Sequence, residues 1–193
     1  AIEEHEGGVT LSVGGVVVRA EAAVVAANAY AGRLFPWLDA RIDATRGQVL
    51  VTEPVPERIF ERPIYASHGF EYWRQTPTGE VVLGGWRNLD VQGEVGYENR
   101  LHDGIQDALE AFVQRIHPAL AGIGIAHRWA GIMGFSRDSL PVVGPLPGHP
   151  RVVLAAGFTG HGFGFAVASG AVVADVITEG RSAWDDLLAP RRL

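Results

Sequence analysis

The 193-residue sequence contains no cysteine and no lysine. Without thiols there is no disulfide, no thiolate nucleophile, no iron–sulfur cluster and no thiolate zinc site. All 16 basic residues are arginine. That excludes Schiff-base chemistry, a P-loop lysine and a lysine general base. Positive charge is in deficit, with a net charge of −6, so no basic surplus exists to grip nucleic acid or an anionic membrane. No basic stretch followed by an apolar run marks a secretory signal, and a cytoplasmic setting is expected. The only methionine is Met133, and the chain opens Ala1-Ile2-Glu3-Glu4, which suggests a piece of a longer protein. The longest apolar stretch, Phe163 to Ile177, is broken by Asp175 and rich in glycine and alanine. It reads as too short to span a bilayer.

What is present is the composition of a folded chain, 47% hydrophobic and 20% charged, with 25 glycines gathered in clusters. Such a chain can bury a real core. Val9 to Val13, Gly14-Gly15 and Val16 to Val18 read as a hairpin. The continuous apolar run Ala22–Ala27 reads as a strand buried on both faces. Residues 29–38 suit a short helix ended near Pro36. Strands are expected at Gln48–Thr52, Phe70–Gln75, Val81–Leu83, Ile123–Met133 and Val152–Ala156. Leu101, Ile105, Ala108, Leu109, Phe112 and Ile116 fall at helical spacing, and Pro118 follows. The last element, Phe163 to Ile177, is apolar nearly all round. A helix with no polar face should be covered on several sides.

Two segments carry chemistry. Val152 to Ala156 runs into Gly157, Gly160, Gly162 and Gly164 and then into a helix. Strand, glycine turn and helix start together present outward N–H groups and a positive dipole end. That suits a phosphate, a carboxylate or an electron-rich ring edge, or else serves only close strand–helix packing. The dinucleotide spacing Gly-x-Gly-x-x-Gly is absent. His161, inside the loop, is either a packed or surface residue or a neutral imidazole held at a helix start for hydrogen bonding. The second segment, Arg128 to Gly144, has Gly131 and Gly134 to allow backbone approach to a flat ligand. It is equally a strand with an Asx-type turn at Asp138 before Pro141.

These residues carry a resemblance. Gly157-Phe158-Thr159-Gly160-His161-Gly162-Phe163 resembles the C-terminal flavin motif of the D-amino-acid oxidase superfamily, in its sarcosine-oxidase-like branch. Trp129-Ala130-Gly131-Ile132, with Asp138, Pro141 and Gly144, resembles the segment that precedes it there. Val24 to Tyr30, Arg46 to Val49 and Tyr72 to Thr76 are similar to the gamma-glutamylputrescine oxidase group. The resemblance covers roughly residues 8–180.

It implies FAD as cofactor and oxidation of an amine C–N bond. Hydride would pass to the flavin, and water would hydrolyse the resulting imine. Gly131, Ile132 and Met133 and the run Gly157, Phe158, Thr159, Gly160, His161, Gly162 and Phe163 would contact the flavin. Tyr72, Arg74 and Trp86 would wall the substrate, with Arg74 either pairing a substrate carboxylate or standing solvated on its strand. Arg46 is structural or lines the site.

Three departures qualify this. The Gly-x-Gly-x-x-Gly unit with which family members begin is missing here. Gly131 stands where sarcosine oxidases carry the flavin-tethering cysteine. Their oxygen-activating lysine aligns near Val82 and their carboxylate-binding lysine with Gly164, so sarcosine as substrate and oxygen as acceptor are disfavoured. No catalytic side chain is assigned.

The expected fold is α+β. An antiparallel-dominated substrate-domain sheet with a helix would occupy residues 45–125, flanked by parts of an interrupted FAD-binding α/β domain in 1–44 and 126–193. The N-terminal strands and the Val152 strand should then share a layer. A small amine or amino acid is the expected ligand. A dimer, or binding to a missing FAD-binding half, is expected to cover the 163–177 helix through Val167, Val172 or Val173. The alternative readings are a non-catalytic remnant or partner subunit, and a phosphate-binding module, which the lack of a basic residue beside the Gly160 loop disfavours.

Overall fold

The computed structural model describes all 193 residues, as two compact units: residues 1–44 with 133–193, and residues 45–132. The elements in order are β1 (Ile2–His5), β2 (Gly8–Val13), β3 (Val16–Ala20), β4 (Ala23–Val25), β5 (Ile42–Thr52), β6 (Ile64–Ala66), β7 (Glu71–Gln75), β8 (Val81–Gly85), α1 (Asp103–Ile116), β9 (Ile125–Ser136), β10 (Val142–Leu146), β11 (His149–Ala156), α2 (Gly162–Glu179) and α3 (Asp185–Leu188).

Residues 45–132 are built on the sheet β6-β7-β8-β5-β9, in which β6, β7, β8 and β5 pair antiparallel. Alternation sorts its faces. Leu50, Val81, Leu83 and Trp73 point to one side and meet Ile105, Leu109 and Val113 of α1. The spacing of those three helix residues puts them on one stripe, as the sequence periodicity implies. Each such burial contributes roughly 1.5–3 kcal/mol. Helix α1 starts at Asp103, two residues later than its apolar pattern. The His102 ring accepts from the Ile105 N–H and caps the first turn, which leaves Leu101 outside and exposed.

A polar chain crosses the same interface. Arg46 is fully buried, paired with Glu94 at 2.9 Å, and donates to the carbonyls of Gly93 and Glu98 at 2.6 Å each. Gln48 donates to Glu94 at 2.9 Å, and Gln106 donates to Gln48 at 3.1 Å. Arg128 reaches the Gln106 side-chain oxygen at 3.1 Å and pairs with Glu110. Arg46 is thereby a structural residue that fastens the segment after β8 to β5.

The other unit holds two sheets. β1, β2 and β3 form an antiparallel meander, with the Gly14-Gly15 turn between β2 and β3. In the second sheet β10 and β11 are antiparallel, while β4 joins β11 in parallel, with Val153 opposite Val24 and Leu154 opposite Val25. Of the N-terminal strands expected to share a layer with the Val152 strand, β4 does so across more than a hundred residues of intervening chain, whereas β1, β2 and β3 form a sheet of their own.

Two expectations are corrected here, and a third is met except at one residue. β4 is not buried on both faces, since Val24 is 45% exposed. The segment before Pro36 forms two 3₁₀ turns, Asn28–Arg33 and Pro36–Leu38, rather than an α-helix. Helix α2, expected to lack part of its cover within this chain, is covered on one side only. Ser169, Val172 and Val176 are buried, the two valines packing on Val143, Val153 and Ala155, while Phe163 and Val167 lie open. Val172 is thus held inside this unit and is no interface residue. At 18 residues and a mean hydropathy of 1.4, α2 is also longer than its sequence run suggests, and long and apolar enough to cross a membrane by length and composition.

Candidate functional site

β11 and β4 run parallel, so their carboxyl ends open at the same edge, and both lead into the strained part of the chain. Asn28 (φ 45°), Gly157 (φ 67°), Thr159 (φ 50°) and Gly160 (φ 79°) are all left-handed. In open α/β sheets ligands bind beyond the carboxyl ends of strands, and strained backbone gathers at ligand clamps. Gly157 is buried, and a Cβ there would lie 3.0 Å from Val142 and 3.2 Å from Ser136. Only glycine fits both the angle and the space.

The turn is held from several directions. Asn28 Oδ1 accepts the Gly157 N–H at 3.0 Å. Thr159 N–H donates to the Gly134 carbonyl at 2.8 Å, and the Ser136 N–H donates to the Thr159 hydroxyl at 3.3 Å. Phe135 and Phe158 form an isolated β-bridge.

His161 Nδ1 lies 2.8 Å from the Thr159 carbonyl. A carbonyl only accepts, so Nδ1 carries a proton and donates it. Helix α2 begins at the next residue with no side-chain cap and no acidic residue in its first turn. Its first N–H groups therefore keep their donor capacity and the positive dipole end. A Cβ added at Gly164 would meet nothing within 4 Å. An uncapped, donor-rich helix start with no acidic residue in its first turn fits the electron-rich carbonyl edge of a flavin ring.

Of the other residues expected at a flavin, Gly131 and Ile132 belong to the 45–132 unit and Met133 to its neighbour, all on the uninterrupted strand β9. Gly131 is exposed, with nothing within 4 Å of an added Cβ.

Tyr72, Arg74 and Trp86 are not brought together. Tyr72 and Arg74 alternate with Trp73 and Gln75 on β7 and so face away from the α1 core. The Tyr72 ring lies over Gly84, where a Cβ would come within 2.5 Å of it. Burial pushes the Tyr72 phenol up from its ordinary value, and the Arg87 charge opposes the shift. Arg74 is exposed. Trp86 is left-handed (φ 57°) and packs on Phe112 with ring centroids 4.6 Å apart, at the border of the α1 core.

Sequence reasoning missed Asn28, Ser136 and Arg87 as residues of interest. Arg87 donates to the Gly69 carbonyl at 3.2 Å and sits 4.4 Å over the Phe70 ring. For Asn28 a signal existed: it follows a strand end and is one of the few residue types that tolerate the left-handed region. Nothing local marks the other two.

Comparison with known proteins agrees with this geometry. The chain belongs to the FAD dependent oxidoreductase family, which matches residues 1–176. It is 24% identical over 164 residues to a glycine oxidase of Pseudomonas putida, covering 84% of this chain and 43% of that protein. It is 26% identical over 168 residues to the gamma-glutamylputrescine oxidoreductase of Escherichia coli, covering 83% and 37%. Among solved structures, glycine oxidase from Geobacillus kaustophilus superposes with a TM-score of 0.81 at 20% identity, over 100% of this chain and 51% of that one. The chain spans about half, or less, of the length of the relatives it matches.

Proposed function

We propose that residues 1–193 form the substrate-side and ring-contacting portion of a flavin-dependent amine or amino-acid oxidoreductase. The observation that carries this is the glycine turn Gly157–Gly160. It stands beyond the ends of two parallel strands and leads into an uncapped helix. FAD, when bound, supplies a two-electron acceptor for hydride from the carbon bearing the amine. The chain's own residues do the rest. Gly157 to Phe163 present N–H groups and the His161 imidazole to the ring, the bare backbone of Gly164 permits its close approach, and Met133 supplies apolar contact. For Gly131 and Ile132 a flavin contact rests on the family resemblance alone. Tyr72, with Arg74 on the same face, recognises the polar groups of a small substrate, while Trp86 supports that sheet from the α1 side.

Anaerobic mixing of flavin-loaded protein with small amines and amino acids tests the reading. Bleaching of the visible flavin bands is expected, and unchanged absorbance with every amine overturns it. Residues 1–193 alone are expected to lose added FAD on desalting, because they contain no Gly-x-Gly-x-x-Gly segment for the pyrophosphate. Stoichiometric retention would refute that division of labour.

The open face of α2 favours a second element of the proposal. Phe163 and Val167, four residues apart on one stripe, would be covered in the working protein by a second copy or by a further α/β segment. A non-catalytic role as partner domain is the rival reading. It predicts no flavin colour even when such a segment is supplied.

A further inference from the structure

We infer that Asn28 is the positioning residue of the glycine turn. Its side-chain oxygen is the latch that holds the Gly157 N–H and sets the turn's direction into α2. The inference rests on reading that turn as the flavin-contacting one.

Three strands come together at Asn28. It follows β4, it accepts from the residue that follows β11, and it lies against Gly134 of β9. The fit against β9 is close: a Cβ at Gly134 would lie 2.6 Å from Asn28 Oδ1 and 3.0 Å from the Ala29 nitrogen. Gly134 is therefore glycine because Asn28 occupies that space. The Gly134 carbonyl in turn accepts from Thr159 at 2.8 Å. One side chain thus sets both sides of the turn, Gly157 directly and Thr159 through Gly134.

The chemistry of the residue suits the task. Gly157 is buried just past the end of β11, and its N–H finds its acceptor in the Asn28 side chain rather than in a strand carbonyl. Asparagine provides a neutral one and tolerates the left-handed backbone that Asn28 adopts at φ 45°. An aspartate would accept equally well but would set a negative charge beside a loop that reads as a site for an electron-rich ring. A glycine would relax the backbone but leave the Gly157 donor unsatisfied. Left-handed backbone at the non-glycine residues Asn28 and Thr159, held by these cross-links, is the pattern of a preorganised loop rather than of a slack one.

The test separates the hydrogen bond from the backbone angle. Amide hydrogen exchange of the full chain is compared for the wild type, Asn28→Gly, Asn28→Asp and Asn28→Ala. In Asn28→Gly the Gly157 and Thr159 amides are expected to exchange at least tenfold faster, with β10 and the paired part of β11 unchanged. Asn28→Asp is expected to keep Gly157 protected. Unchanged protection in Asn28→Gly overturns the latch, and so does a loss spread evenly over the sheet. A second arm titrates FAD to millimolar concentration and follows the Gly160, Gly162 and Phe163 amides. Shifts in the wild type that weaken at least threefold in Asn28→Gly are expected. No shift in any variant overturns the flavin reading, while the exchange result still decides the latch.

Discussion

The two long helices of this chain make opposite use of apolar residues. Helix α1 carries a narrow stripe, Ile105, Leu109 and Val113, every member of which is fully buried against a sheet that alternates in step with it. Helix α2 is apolar almost all round, yet buries only Ser169, Val172 and Val176 and leaves Val167 87% exposed. In α1 the pattern and the coverage agree, and the cover comes from residues 45–132 themselves. In α2 the pattern exceeds the coverage, and the proposed covering by a second copy or a further segment rests on that excess. The lesson is that an all-apolar helix reports how much cover it is built for, while only the structure reports how much of that cover one chain supplies.

Several substitutions break or sharpen this contrast. The largest effect is expected on α2's covered side. Val172→Asp places a carboxylate among Val143, Val153 and Ala155, and is expected to cost several kcal/mol and unfold its unit in a thermal melt. Val167→Asp, one turn away on the open side, should leave the melting temperature within a few degrees and abolish any self-association seen by analytical ultracentrifugation. Equal destabilisation by the two would erase the distinction between the faces.

In the 45–132 unit, Glu94→Leu leaves the buried Arg46 without its carboxylate, at about 3–5 kcal/mol in urea unfolding. The double variant Arg46→Met/Glu94→Leu is expected to recover most of that loss. Leu109→Ala should cost about 2–5 kcal/mol, whereas Val167→Ala should stay within about 0.5 kcal/mol. Similar losses for these two would mean that α2 is covered after all.

The smallest effect is a pH dependence near the C-terminus. Hydrogen bonds from Arg192 hold the Asp138 carboxyl below its ordinary value of 3.8. A carboxylate with a depressed folded-state pKa adds stability that is fully present above its unfolded value and is lost as pH falls through the folded one. The pair is partly exposed, so about 0.2–1 kcal/mol is expected. The gap in melting temperature between wild type and Asp138→Asn should be present at pH 7 and close below pH 3.8. A gap independent of pH would show that the pair contributes nothing through charge.

Much of the architecture was legible where local patterning and tertiary environment coincide. The Gly14-Gly15 hairpin, the strands around Pro77-Thr78-Gly79, the α1 stripe and the Val152 strand running into Gly157 follow from periodicity and turn chemistry. The Asx turn at Asp138 appears as a 3.1 Å bond from the Leu140 N–H. Short strands escaped detection: β1, β6 and β10 carry too few alternating residues to rise above their surroundings.

For the site, the glycine turn stood out because left-handed backbone must be encoded by residue type at the position itself. The roles of Asn28, Arg46 and Trp86 did not, because each is set by a partner tens of residues away: Gly157, Glu94 and Phe112. Sequence alone determined which positions bend, which stripe is apolar and which chemistries are absent, since these depend on side-chain composition and on neighbours within one or two turns. Only the tertiary structure decided which apolar face is covered, which charge is buried and which donor finds its acceptor, because burial and hydrogen bonding are satisfied through space by residues that chain order leaves unrelated.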